Sequence, residues 1–398
     1  MEASLAQDEL SQEGNNSICI LPWIHQYFEI EGCYSACCFA LKHKFGKDLS
    51  PTEAFNSAEM KKLRLAMLAD EKPITCNICY DFEKNGINSH RKRMNSGFAE
   101  YNKLYQTTKK DGSISTPPIY LDVRFGNLCN FTCRMCGSYA SSSWIKEEKY
   151  NGSKTARHYD YWTSNDEFWK YIEDIKNHMR FLYFAGGEPF VQEGHYMLLD
   201  LLIKSGCSKN ISLSYNTNLS YNGVFKGYDI EQLWKKFKKV ELWPSIEGFG
   251  EKAEYGRKGL DFDLFKSNSI KFSEYINTFS IVSSVFSISS NIELIKWIKS
   301  INKQFSISNL ENSKQHKTTI FSTELKKNIL KNYKNQINDI TMTEYELRCV
   351  LDSLRHMMSQ DDSHLAKEFK ERNTKSDLFR NESFESVFPE LAEWYKNI

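Results

Sequence analysis

Three cysteines, Cys129, Cys133 and Cys136, form a C-x3-C-x2-C run within LDVRFGNLCNFTCRMCGSYASSSW, residues 121–144. A structural zinc site normally takes four protein ligands, often as two C-x2-C pairs. Here the next cysteine is Cys207, which follows a helical pattern and precedes a strand-like one, and so is expected on the opposite face of a sheet. Three thiolates on a four-iron cluster leave one iron open, whereas a purely electron-transferring cluster is usually closed by four cysteines. An open iron can bind a substrate or cofactor; zinc and buried thiols remain the alternatives for this triad. A second set comes earlier in the chain: Cys19, Cys37, and the C-x2-C pair Cys76 and Cys79. Four thiols can close a metal site completely, a structural zinc knuckle included. Cys38 competes with Cys37 for the second position, and Cys33 reads as a spare thiol.

The rest of the composition narrows the setting in which such thiols work. With 40% hydrophobic and 26% charged residues the 398-residue chain reads as ordinary globular protein. A formal net charge of +1 supplies no basic field for a nucleic-acid backbone, and no apolar run of about 18 residues could span a bilayer. The first residues, MEASLAQDELSQEGNN, are acidic and polar, unlike the basic n-region and apolar core of a signal peptide. The expected compartment is therefore the cytoplasm. In that reducing setting eleven clustered cysteines point to metal or redox chemistry rather than disulfides.

Positioning the triad requires a frame, and the pattern from residue 119 supplies one. IYLDVRF, FLYFA, ISLSYN, VELWPSI and FSIVSSVFSIS are strand-like and alternate with helical segments. The first of these helices, SNDEFWKYIEDIKNHM, has Ser164 and Glu167 at capping-box spacing. The next, YMLLDLLIKSG, stops at Gly206. Strands alternating with helices predict an α/β fold with a parallel sheet or barrel, whose ligands sit in the loops after the strands. Those loops carry the cysteine run, GGEP at 186–189, NTN at 216–218 and SIEG at 245–248. The expected domains are residues 1–105, a linker at 106–118 ending in two prolines, the α/β region 119–305, and a helical extension 306–398.

The cysteine run after a first strand, GGEP after the second and the strand–helix order resemble the radical S-adenosylmethionine (SAM) superfamily. The resemblance implies a partial (β/α)6 TIM-like barrel. It implies that Cys129, Cys133 and Cys136 hold a [4Fe–4S] cluster whose open iron is chelated by SAM. Met135 matches the position that packs on the adenine, although an aromatic is commoner there. Gly186, Gly187 and Glu188 match the segment that holds the methionine amino group. Asn218 resembles the family's ribose contact, and Ser245 and Arg257 are candidates for the ribose and carboxylate of SAM. Glu247 stands where aspartate is commoner. The N-terminal cysteine spacing resembles a twitch domain, the short relative of the SPASM domain, which implies an auxiliary Fe–S cluster on Cys19, Cys37, Cys76 and Cys79. LPWIH, the CC pair and the closing ESFESVFPELAEWY also resemble a group of twitch-first radical SAM proteins.

The implied activity is reductive cleavage of SAM to a 5′-deoxyadenosyl radical that takes a hydrogen atom from an unactivated carbon. A flavodoxin- or ferredoxin-like donor would supply the electron. The expected substrate is a small molecule undergoing oxidation or epimerisation; a peptide or protein substrate is the alternative, and a zinc-bearing binding protein on a degenerate barrel is the alternative from another class. Outside the motifs, Cys349 in YELRCVLDSLRHMM falls opposite the apolar stripe Leu347, Val350, Leu351 and Leu354, where its thiol could deliver a hydrogen atom to a substrate radical. HRKR at 90–93 reads as a solvated charge run, and His25 as a packed core residue.

Overall fold

The computed structural model describes residues 16–40, 48–221, 223–310 and 313–398. The acidic N-terminal stretch read against a signal peptide thus lies almost wholly outside the described residues. The strands, in chain order, are β1 (His25–Phe28), β2 (Tyr34–Ser35), β3 (Tyr120–Val123), β4 (Thr132–Cys133), β5 (Phe181–Phe184), β6 (Ser212–Thr217), β7 (Val224–Phe225), β8 (Tyr228–Asp229), β9 (Lys239–Pro244), β10 (Arg257–Lys258), β11 (Thr278–Ser283) and β12 (Gln304–Asn309). They fall into two compact units. One holds the chain up to Val123 with Tyr161–Tyr183; the other holds Arg124–Asp160 with Phe184–Ile398.

In the first unit β1 runs parallel to β3, from His25 opposite Tyr120 to Phe28 opposite Val123, and antiparallel to β2. The sheet order there is β2-β1-β3-β5. The first strand expected of the barrel, β3, therefore shares a unit with the N-terminal segment. Phe28 explains the cohesion: its buried ring packs edge-on against Trp162 at 5.0 Å, Phe168 at 5.3 Å and Tyr34 at 5.5 Å. The helix Asp166–Ile175 starts one residue later than the Ser164 capping box predicts. Asn165 is its N-cap, accepting a hydrogen bond from the Phe168 amide at 2.8 Å. Asn and Ser are comparable caps, and backbone geometry decides between neighbours.

Arg64 is wholly buried in this unit and faces carbonyls instead of an acid. Its guanidinium donates to Pro22 O at 2.8 Å, Phe55 O at 2.7 Å, Gly112 O at 3.3 Å and Asn56 Oδ1 at 3.0 Å. Burial lowers its pKa to about 10.

In the second unit β6 pairs parallel with β9 and β11 with β12. Parallel bridges Leu242–Ile276 and Ser245–Ser280 connect the two pairs, so four strands point their C-terminal ends the same way. β6 and β11 alternate half-buried and buried positions, which places one face of each on the core. The fold is thus mixed α/β around parallel strands. β12 is a strand the alternation did not reveal; it straddles the expected boundary at 305. Beyond it the helices Thr323–Gln336, Glu344–Ser359 and Ala366–Arg380 make the C-terminal region helical, as expected. No helix among the described residues is long and apolar enough to cross a membrane.

Candidate active site

The cysteine loop is fastened residue by residue. β4 pairs antiparallel with β10, which sets Cys133 opposite Arg257, and the Arg134 amide donates to Gly256 O at 2.8 Å. Ser141 and Ser143 donate their hydroxyls to Phe131 O at 2.6 Å and Cys129 O at 2.7 Å. The Trp144 indole donates to Cys133 O at 2.9 Å, and Arg372 donates to Cys136 O at 3.2 Å. These partners fix the loop's backbone.

The three thiols affect one another's titration. Burial pushes Cys129 up to about 12, and the neighbouring Cys133 adds to the rise. Cys136 is raised by its hydrogen bond with Cys133 and by burial, with charge on Cys133 and Cys129 contributing. Cys133 is drawn down by the Cys136 hydrogen bond and then by Arg257, whose Nη1 lies 3.9 Å from its sulfur. Among the described residues no three Cys, His, Asp or Glu side chains converge tightly enough for a single metal ion. Thiolates on one zinc stand about 3.8 Å apart, as Zn–S bonds of about 2.3 Å at tetrahedral angles require. Three thiols of one loop, with the Arg257 guanidinium beside Cys133, suit an anionic iron–sulfur cluster by donor type and charge.

The GGE turn is built onto this loop. Gly187 has φ +58°, and a Cβ there would lie 2.3 Å from Leu128 O, so the position admits only glycine. The Glu188 amide donates to Leu128 O at 2.9 Å. The Gln192 amide group donates to Gly186 O at 2.7 Å and Gly126 O at 3.2 Å. The Glu188 carboxylate, 1% exposed, accepts from the Asn218 amide at 2.7 Å, the Thr217 hydroxyl at 2.8 Å and the Phe190 amide at 3.2 Å. Burial raises its pKa to about 7 despite those bonds. Glu188 therefore ties the GGE turn to the end of β6. The Asn218 side chain donates to Asn130 Oδ1 at 2.9 Å and accepts from Ser220, while Asn130 donates to Ser220 Oγ at 2.7 Å. Asn130, between the first two cysteines, is a member of the site that sequence reasoning missed.

Arg257 is buried and forms a bidentate pair with Glu247: Nε to one oxygen, and Nη2 to the other at 2.7 Å. The Glu247 carboxylate raises its pKa against the desolvation that lowers it. Ser245 sits at the end of β9, its amide donating to Thr217 O at 2.8 Å, and Met135 is buried. Arg134 was also missed. It is 2% exposed, lies 3.6 Å from the Tyr255 ring centroid, and meets Asn373 at 2.7 Å and Asp377 and Glu382 at 2.6 Å each. Its adjacency to Cys133 was visible; partners more than 230 residues away were not.

Cys349 corrects a face assignment. On the helix Glu344–Ser359 the packed side carries Glu346, Cys349, Val350, Ser353, Leu354 and Met357, while Leu347 and Leu351 are exposed. Glu346 is buried because Lys299 pairs with it at 2.8 Å, and Ser353 because its hydroxyl donates to Ser283 at 2.8 Å. The thiol lies in the packed face, not opposite it.

In the first unit the four N-terminal thiols gather. Cys19 is raised by burial, with Cys76 and Cys79 adding to the effect. Cys37 is raised by burial, then by Cys38, Cys19 and Cys76, and Cys76 is pushed up to about 12 by burial and by Cys79. Arg91 of the HRKR run is not solvated: it is buried, and its guanidinium donates to Glu83 at 3.0 and 2.6 Å and to Ile18 O at 2.6 Å. Its charge lowers both Cys19 and Cys76. His25 is a core residue, its Nδ1 3.2 Å from Ala36 O.

Comparison with known proteins matches residues 123–282 to the model of the Radical SAM superfamily. That span contains the triad, the GGE turn, Asn218, Ser245 and Arg257, and excludes the N-terminal thiols. Among solved structures the chain is similar to Streptococcus suis SuiB bound to S-adenosylmethionine, with 15% identity and a TM-score of 0.34. The match covers 75% of this chain and 64% of that one, so the chain spans less than two thirds of the relative's length. No curated protein matches the chain.

Proposed function

We propose that this chain, whose residues 123–282 match the Radical SAM superfamily model, abstracts a hydrogen atom from a small molecule, with oxidation or epimerisation as the net result. Cys129, Cys133 and Cys136 would hold the cluster, and the GGE turn with Asn218, Ser245 and Arg257 would hold SAM. When bound, that pair supplies reductive cleavage of the sulfonium and the radical that takes the hydrogen. The protein's own part is to orient and enclose. Glu188 and Asn218 fix the loops after β5 and β6 to each other, the serines fix the cysteine loop, and Met135 offers an apolar surface. Four thiols in the other unit would hold an auxiliary cluster that accepts an electron from the substrate radical. A flavodoxin- or ferredoxin-like protein would be the external donor.

The observation that carries this reading is a loop with three thiols and no fourth cysteine, against which the GGE turn is built at Leu128. The test is anaerobic: reconstituted protein, reductant and SAM should give 5′-deoxyadenosine and methionine. Any one of Cys129→Ala, Cys133→Ala or Cys136→Ala should abolish both. Equal product from the three variants would sink the reading.

A further inference from the structure

One face of the second unit is basic and apolar at once, although the chain as a whole carries a formal charge of only +1. Two helices build it: Trp144–Tyr150, just after the cysteine loop, and Ala366–Arg380. Their inner sides are joined by Glu147, which pairs with Arg380 at 2.8 Å and accepts from the Ser376 hydroxyl at 2.6 Å. Farther out, the Tyr150 and Phe379 rings meet at 5.1 Å. Tyr150 is 71% exposed and Leu378, beside Phe379, is 78% exposed. Scattered apolar residues on a surface are ordinary; these adjoin. Lys146 lies one turn before Tyr150 on the same side of its helix, Lys375 stands in the same relation to Phe379, and Lys149 precedes Tyr150. All three lysines are exposed and lack an ion-pair partner among the described residues. The adjacent acids are engaged: Glu148 accepts from the Ser138 amide and hydroxyl at 2.8 and 2.6 Å, and Asp377 pairs with Arg134 at 2.6 Å. Glu368 and Glu371, earlier on the second helix, are exposed but interleave with Lys367 and Lys370.

The same face is tied to the thiol loop. Arg372 donates to Cys136 O at 3.2 Å, and its guanidinium carbon lies 5.8 Å from the Trp144 ring centroid. The Trp144 indole in turn donates to Cys133 O at 2.9 Å. Tyr139, three residues past Cys136, is 55% exposed, and a Cβ at Gly137 would lie 3.0 Å from both its ring and the Glu148 carboxylate. Both helices therefore run from solvent to the backbone that carries Cys133 and Cys136. An electron passes between proteins only where their redox centres approach closely, and complementary charge steers that encounter. Such contacts bury little area, which suits a patch of this kind.

We propose that this face docks an acidic one-electron donor, a flavodoxin, with Tyr150 and Leu378 inside the contact and Lys146, Lys149 and Lys375 around them. The proposal rests on the reading that Cys129, Cys133 and Cys136 hold a reducible cluster. One electron leaves the reduced flavin and is gained by that cluster; no atom passes between the proteins. An apolar centre with a charged rim is the common layout of protein interfaces.

The test uses the full chain with a bacterial flavodoxin as the probe, its binding followed by fluorescence anisotropy at low and high salt. In Lys146→Glu/Lys149→Glu/Lys375→Glu, binding at low salt should weaken at least about tenfold, and high salt should bring wild type toward the variant. Iron content and dithionite-driven SAM cleavage should stay at wild-type levels, while cleavage driven by reduced flavodoxin falls with the binding. The corresponding triple Lys→Gln variant should fall between; if the glutamates cost iron, it decides by the same comparison. A variant that retains iron and binds flavodoxin as wild type does overturns the proposal. So does wild type that cleaves SAM with dithionite yet binds no flavodoxin. Self-association of wild type that the three substitutions abolish, in place of flavodoxin binding, assigns the face to a second copy of the chain and overturns it likewise. Wild type that cleaves no SAM even with dithionite removes the reading of the triad beneath it, while the binding comparison still decides the face.

Discussion

Glu188 is a carboxylate whose environment works against its charge. Its folded pKa is about 7, above the ordinary 4.5, with burial as the cause. Below about pH 4.5 the group is protonated in folded and unfolded chains alike, and burial costs nothing through ionisation. As pH rises toward 7 the unfolded carboxyl ionises first, so stability is lost across that window and is level above it. The loss is on the order of 3 kcal/mol. In Glu188→Gln this excess decline should vanish, measured as urea midpoints of both proteins from pH 4.5 to 8. Parallel curves would refute the assignment. The Gln variant should also be weaker overall, because one of its groups is a donor facing the Asn218 amide.

At the scale of elements, Arg134 joins the cysteine loop to the helix Ala366–Arg380 through Asn373 and Asp377, and to Glu382 just beyond it. Arg134→Ala leaves two carboxylates without their shared partner, a change that typically costs about 3–5 kcal/mol. Chemical denaturation should show that loss. Limited proteolysis should show faster cleavage within 366–398 while residues 212–283, on β6 to β11, stay protected; unchanged cleavage there would mean the link is not what holds the C-terminal helix. This attachment illustrates what sequence could disclose. Strand–helix alternation was legible because period-2 and period-3.6 patterns are local, and the loops after the strands followed from it. Partners distant in sequence were not legible. Asp377 for Arg134, Thr217 for Glu188 and Ser283 for Ser353 lie 29 to 243 residues away. The same long-range pairing inverted the reading of Cys349: a helix face holding Glu346 and Ser353 looks solvated until Lys299 and Ser283 are placed against it. β12 escaped although QFSISN alternates, because Phe305 and Ile307 are its only apolar residues.

The whole molecule carries a formal charge of only +1, yet four arginines, Arg134, Arg257, Arg372 and Arg380, surround one thiol set and Arg91 adjoins the other. Positive charge is placed where thiolates and anionic clusters would form. Each compact unit holds its own set, Cys19, Cys37, Cys76 and Cys79 in one and Cys129, Cys133 and Cys136 in the other. Thiols that are neutral because burial raises them must release protons to metal, so filling either site depends on its local ligands. The two sites should therefore load independently. Anaerobically reconstituted wild type should bind about eight irons, and about four should remain when either set is replaced by alanine. The variant lacking the N-terminal four should keep the EPR change on adding SAM, and the variant lacking the triad should lose it. With Cys37 as the proposed ligand, its titration raised by burial and then by Cys38, Cys19 and Cys76, Cys38→Ala should keep all the iron. Zinc retained in the triad variant, with iron never above about four in wild type, would make the N-terminal set structural and remove the auxiliary electron acceptor from the proposed reaction.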